Sequence, residues 1–138
     1  MQTKIREVFT WFLLILLTCI LGGILVQMWW PVTPVRIDKI SVSKSIVSRG
    51  EAVYFQFQGE KFLQIPVHVT LELVNGERIA LVNYLSNNPI GKLCVKRNIV
   101  IPFHIIPGQY QLKWTGVFEV NALRTVTYSA KSDWITVK

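Results

Sequence analysis

The chain predicts an all-β fold, two antiparallel sheets packed as a sandwich, standing behind a single membrane-spanning helix. Three observations predict it. The run from Val8 to Val35 holds no charged residue. After it, apolar and polar residues alternate with a period of two, and pairs of turn-forming residues punctuate that alternation.

The helix comes first. Its core, Val8–Trp30, reads VFTWFLLILLTCILGGILVQMWW, and 23 residues at helical rise span roughly 35 Å against a hydrocarbon core of about 30 Å. An unpaired backbone amide is too costly in lipid, so a lone apolar segment of this length must be helical. Trp11 near one end and Trp29 with Trp30 at the other suit the two membrane interfaces. Lys4 and Arg6 would also suit a cleaved signal peptide, but the run is too long for a signal core and no small-x-small site follows it. Leu16-Leu17-Thr18-Cys19 resembles a lipoprotein cleavage box only faintly, because its cysteine lies in mid-run. An uncleaved signal-anchor is therefore expected. The short basic tail, residues 1–7, should stay cytoplasmic and the C-terminal domain should be extracytoplasmic, which means periplasmic if the cell is Gram-negative. Thr18 with Gly22, and Cys19 with Gly23, form small-x-x-x-small pairs that let helix backbones approach in lipid.

Pro31-Val32-Thr33-Pro34 then ends the helix, since proline lacks a donor and drives its predecessor out of helical geometry. The expected division is a tail at 1–7, a transmembrane helix at 8–30, a linker at 31–35 and a β domain at 36–138. A linker this short reaches only about 12 Å, which holds the domain close to the bilayer.

Within the domain, four alternating stripes predict strands: Val53, Phe55 and Phe57; Val67, Val69, Leu71 and Leu73; Ile99, Ile101, Phe103 and Ile105; Tyr110, Leu112 and Trp114. Further strands are expected at 36–43, 77–84, 124–129 and 134–137. Asn75-Gly76 predicts a hairpin whose two central residues take positive φ. Pro107-Gly108 suits the centre of a type II turn. Ser48–Glu51 predicts a tight turn, and Asn87–Gly91 a longer loop.

Gly108-Gln109-Tyr110-Gln111-Leu112 resembles the corner of the immunoglobulin fold, where Gly-x-Tyr-x-Cys opens strand F. The resemblance implies an immunoglobulin-like sandwich with Tyr110 as the corner tyrosine, its hydroxyl bonded back to upstream backbone. Leu112 stands where the family often has its second cysteine, and no Trp occupies the Val67–Val74 strand. These departures place the resemblance with disulfide-free sandwiches rather than antibody domains. It implies nothing specific about function.

Charge and chemistry point away from catalysis. The net charge is +7, and 13 of the 15 basic and 7 of the 8 acidic residues lie from Arg36 onward. Cys19 in the apolar run and Cys94 in the β region should not meet, and neither belongs to a metal-ligand spacing. Cys94 stands next to Lys96-Arg97 but is expected as a small buried hydrophobe. His68 and His104 fall on the polar side of their stripes, and the carboxylates are scattered. No phosphate loop or nucleophile elbow occurs. The expectation is thus no enzyme, no cofactor, no metal, no nucleic-acid partner and no small-molecule ligand. The basic cluster Lys92, Lys96 and Arg97 is a candidate contact for anionic headgroups.

The function expected is a non-catalytic accessory or assembly subunit of an envelope membrane complex, docked on another integral membrane protein or self-associated through its helix. The alternative is an adhesion or recognition module for a soluble or surface ligand, such as a glycan or anionic lipid. The missing Asn-x-Ser/Thr acceptor and missing disulfide suggest a bacterial or bacteriophage source.

Overall fold

A computed structural model describes residues 2–138, with side chains from Lys4 onward. The chain is mostly β with one N-terminal apolar helix. It divides into two compact units: the helix through Val32 together with Asn121–Arg124, and Thr33–Val120 with Thr125–Lys138.

Helix α1 (Gln2–Trp29) begins before the apolar run, not at Val8. Lys4, Arg6 and Glu7 are good helix formers, and nothing in the tail interrupts propagation. Over Lys4–Trp29 it is long and apolar enough to cross a membrane, and no part of its most apolar window is buried. Thr10 and Thr18 donate their hydroxyls to the carbonyls of Arg6 and Leu14, at 2.9 and 2.8 Å. Both polar side chains are thereby satisfied within the helix itself.

The second unit holds eight strands: β1 (Val35–Val42), β2 (Ile46–Val47), β3 (Ala52–Lys61), β4 (Val67–Asn75), β5 (Glu77–Ser86), β6 (Gly91–Val100), β7 (Gly108–Asn121) and β8 (Arg124–Val137). They form a three-stranded sheet in the order β1-β3-β6 and a five-stranded sheet in the order β2-β8-β7-β4-β5. The short β2 runs parallel to β8. The pairs β1–β3, β3–β6, β4–β5 and β4–β7 are antiparallel. Both sheets are partly curled, towards a half-barrel.

The core follows the alternation. Val53, Phe55 and Phe57 from one sheet are buried with Val67, Val69, Leu71, Leu73, Tyr110, Leu112 and Trp114 from the other. Phe118 joins them and meets Tyr128 edge-on, with ring centres 6.2 Å apart. Burying each such large side chain contributes roughly 1.5–3 kcal/mol.

Four local expectations are corrected. The stripe through Ile105 is not one strand: β6 stops at Val100, and Pro102, which has no donor, turns the chain. Ile101 and Ile105 remain buried, whereas Phe103 is 76% exposed. The Ile101 amide and carbonyl are taken by Glu51 and Gly50 of the neighbouring turn, at 2.9 and 2.7 Å. The segments at 124–129 and 134–137 are one strand, β8. Its burial alternation breaks after Ser132, whose buried hydroxyl accepts the Leu112 amide at 2.9 Å and donates to the Asp133 carbonyl at 2.7 Å.

The turns also differ. At Asn75-Gly76 only Gly76 takes positive φ. Gly108 has no positive φ and is not the centre of a type II turn; it opens β7. The tight turn at Ser48–Glu51 does form. Glu51 donates its amide to the Ser48 carbonyl at 3.0 Å, and Gly50 sits at φ +78 with the Phe103 ring over it.

Candidate functional site

Strand β6 concentrates the basic residues, and the sequence stripes overlook its first eight positions. Its alternation is Leu93 and Val95 against Lys92, Cys94 and Lys96, a weak signal because only Ile99 of the ten residues is fully buried. The partner strand supplies what the pattern lacks. β6 pairs with β3 at every residue from Gly91↔Lys61 to Val100↔Ala52, without a register shift.

That pairing separates the expected cluster. Lys92, Cys94 and Lys96 stand at alternate positions on the outer face of the three-stranded sheet. Arg97 has the opposite parity and sits on the side of Leu93 and Val95. Its guanidinium reaches the Tyr84 ring of β5, 4.4 Å from the centroid. Lys92, Lys96 and Arg97 are therefore not one patch, because successive side chains in a strand point to opposite faces. Cys94 is exposed rather than buried, and Gln56 donates an amide hydrogen to its sulfur at 3.2 Å.

Behind Leu93 and Val95, between β5 and β6, lies an apolar cleft of about 40 Å³, reached also by Phe57, Val69, Trp114 and Lys61. This is room for about one water and far less than the several hundred Å³ of a small-molecule site. Lys61 is 2% exposed, and its ammonium donates to the Asn88 carbonyl at 2.6 Å. Burial holds its pKa below the ordinary lysine value.

The outer face of the three-stranded sheet carries two shallow depressions. One, about 400 Å³, is bordered by Ser41, Ser43, Tyr54, Gln56 and Lys96. The other, about 320 Å³, is bordered by Arg36, Asp38, Gln58, Glu60, Lys92 and Cys94. Arg36 bridges Asp38 at 2.7 Å and Glu60 at 3.7 Å.

The remaining candidates are dispersed. Thr18, Cys19, Gly22 and Gly23 are exposed on the helix, and a Cβ added at either glycine would meet nothing within 4 Å. Trp11, Trp29 and Trp30 are likewise exposed. Tyr110 is buried at the start of β7 and donates its hydroxyl to the Ile106 carbonyl at 2.7 Å. Gly108 precedes it within the strand, near Asn75. His68 and His104 are both exposed. Among the described residues no three His, Cys, Asp or Glu side chains gather as metal ligands.

No family model matches the chain, and no curated protein does. Among solved structures, it aligns with Pseudomonas fluorescens alkylpurine DNA glycosylase AlkC bound to DNA containing an abasic site analog. The identity is 13% and the TM-score 0.45, over 78% of this chain and 31% of that one. The neighbour is an enzyme and is bound to DNA. Against it, the expectations of no enzymatic activity and of no nucleic-acid partner are withdrawn. At this TM-score the likeness assigns neither property to this chain.

Proposed function

We propose that the chain is a membrane-anchored accessory or assembly subunit of an envelope membrane protein complex, and that its β unit is the docking element. The observation that carries this reading is the connection: five residues, Trp30–Pro34, separate the end of α1 from the start of β1. A bridge of that length spans at most about 18 Å, so a bilayer-embedded helix would confine the β unit to partners close to the membrane. The basic tail before the apolar run supports an N-terminus in the cytoplasm and a β unit outside.

The immunoglobulin-like reading of the β unit belongs with this proposal. Its support is the strand order, with the first, third and sixth strands in one sheet, and the hydroxyl of Tyr110 bonded to the backbone four residues upstream at the entry to β7.

Isolation of the full-length protein from its native membrane in mild detergent, followed by mass spectrometry, tests the docking role. A stoichiometric integral membrane partner is the expected result. A chain recovered alone overturns it in favour of recognition of a soluble or surface ligand. The second reading has its own support in the outer face of the three-stranded sheet, where Tyr54, Gln56, Ser41 and Lys96 border a depression of about 400 Å³ that offers an aromatic ring and hydrogen-bonding groups to a glycan.

A further inference from the structure

We propose that β6 is a docking edge for an extended acidic segment of a partner protein, which adds as a fourth strand to the three-stranded sheet. This rests on the docking role above and names the chemistry of the partner.

The two sheets have four edge strands, β1 and β6 in one and β2 and β5 in the other. Proteins blunt such edges with bulges, brevity or charge, because unpaired backbone groups template further pairing. Three of these edges are blunted in their backbone. β1 carries a register shift between Ile37 and Lys39. β2 is two residues long. β5 is paired with β4 through a shift at Leu71/Glu72. Only β6 is both long and regular, with ten residues in unbroken register and no proline.

Charge then selects what can occupy the edge. β6 contains Lys92, Lys96 and Arg97 and no carboxylate. Lys92 and Lys96 form no ion pair among the described residues, and Glu60, across from Lys92, is taken by Arg36. A second copy of β6 laid along the edge would set like charges against one another, which is unfavourable for facing strands. An acidic strand would meet the opposite sign. Its outward side chains would lie beside Lys92 and Lys96, and its inward ones beside Leu93 and Val95 at the mouth of the cleft. Main-chain hydrogen bonds would supply affinity, and the alternate side chains the selectivity. The segment that fits is one of alternating acidic and apolar residues.

The test uses the full chain in detergent micelles and a synthetic peptide of alternating glutamate and valine. A control peptide of equal charge carries prolines that prevent strand addition. Expected are binding of the first peptide, slowed hydrogen exchange in β6, and loss of both with the control. Combined Lys92→Glu, Lys96→Glu and Arg97→Glu should weaken binding about tenfold or more and admit a lysine–valine peptide instead. Should the triple variant misfold, Lys96→Glu alone, at an exposed position, should weaken binding in the same direction. Equal binding of the control, protection at β1 or β5 in place of β6, or no binding overturns the proposal. Repeating the membrane isolation with the triple variant separates the two readings. Loss of a partner that the unmodified chain retains supports the edge; its retention overturns the edge and leaves the docking role standing. If the unmodified chain has no partner, the docking role falls, and the peptide experiment alone decides whether β6 accepts an acidic strand.

Discussion

The guanidinium of Arg97 stands 4.4 Å from the centre of the Tyr84 ring. One residue belongs to β6 and the other to β5, so the contact joins the open edges of two different sheets. A cation over an aromatic face at this range contributes about 0.5–2 kcal/mol, more as water is excluded. Tyr84 also lines the cleft with Leu93, Val95 and Lys61.

The same contact can be followed by titration. Burial raises the pKa of the Tyr84 hydroxyl above the ordinary 10.0, and the charge of Arg97 pulls it partly back. Arg97→Met should therefore raise it further, which ultraviolet absorbance of tyrosinate will detect as a later titrating component than in the unmodified protein. Because the folded pKa is raised, the stability linked to neutral Tyr84 is fully present below pH 10.0 and is lost as pH climbs through the folded value. No shift in the titration on removing Arg97 would refute the coupling.

Tyr110→Phe keeps the buried ring and deletes only the hydroxyl that reaches the Ile106 carbonyl. Loss of such a bond costs about 0.5–1.5 kcal/mol. Thermal unfolding followed by near-ultraviolet circular dichroism should show a lower midpoint, without loss of the folded spectrum.

Gly59 faces a tighter constraint than its flexibility. A Cβ there would lie 2.1 Å from the Arg36 carbonyl oxygen on the adjacent strand, where β1 carries its register shift. Gly59→Ala must push β1 away from β3 and should destabilise the β unit by about 1–3 kcal/mol, read as a lower urea midpoint. Gly22→Ala in the helix meets open space and should leave that midpoint unchanged.

Acid should act through Glu51. The ammonium of Lys44 at 2.5 Å and then the Ser48 amide at 2.8 Å hold its carboxyl below the ordinary value of 4.5. Its contribution is present above that value and disappears as pH falls through the lowered folded pKa. Glu51→Gln should flatten the dependence of the melting temperature on pH below about 4.5, measured against the unmodified chain. An unchanged acid slope would exclude Glu51 as its source.

The candidate edge was the least legible part of the chain. The stripes that became β3, β4 and the start of β7 each set fully buried side chains against wet ones, and that contrast is what periodicity reads. In Gly91–Val100 most side chains are exposed or half-buried, so the contrast nearly vanishes, and only pairing with β3 identifies the strand. Parity then separates Arg97 from Lys92 and Lys96, which adjacency in sequence had grouped together. Phe103 went astray for a related reason: apolar residues continue its stripe, but Pro102 ends the ladder and leaves the ring outside, over Gly50.

What the sequence determined by itself was local: a helix of membrane-crossing length, a proline stop and a β unit with its buried stripes; the back-bonding of Tyr110 was implied only by its resemblance to the immunoglobulin corner. Each depends on chemistry within a few residues of chain, where lipid, proline geometry and alternate burial act directly. Only the tertiary structure decided which strands lie at the edges, where the register breaks, and which basic side chains share a face. Those features are set by neighbours distant in sequence, as when Lys92 falls in register with Glu60 and Arg97 meets Tyr84 across the gap between two sheets.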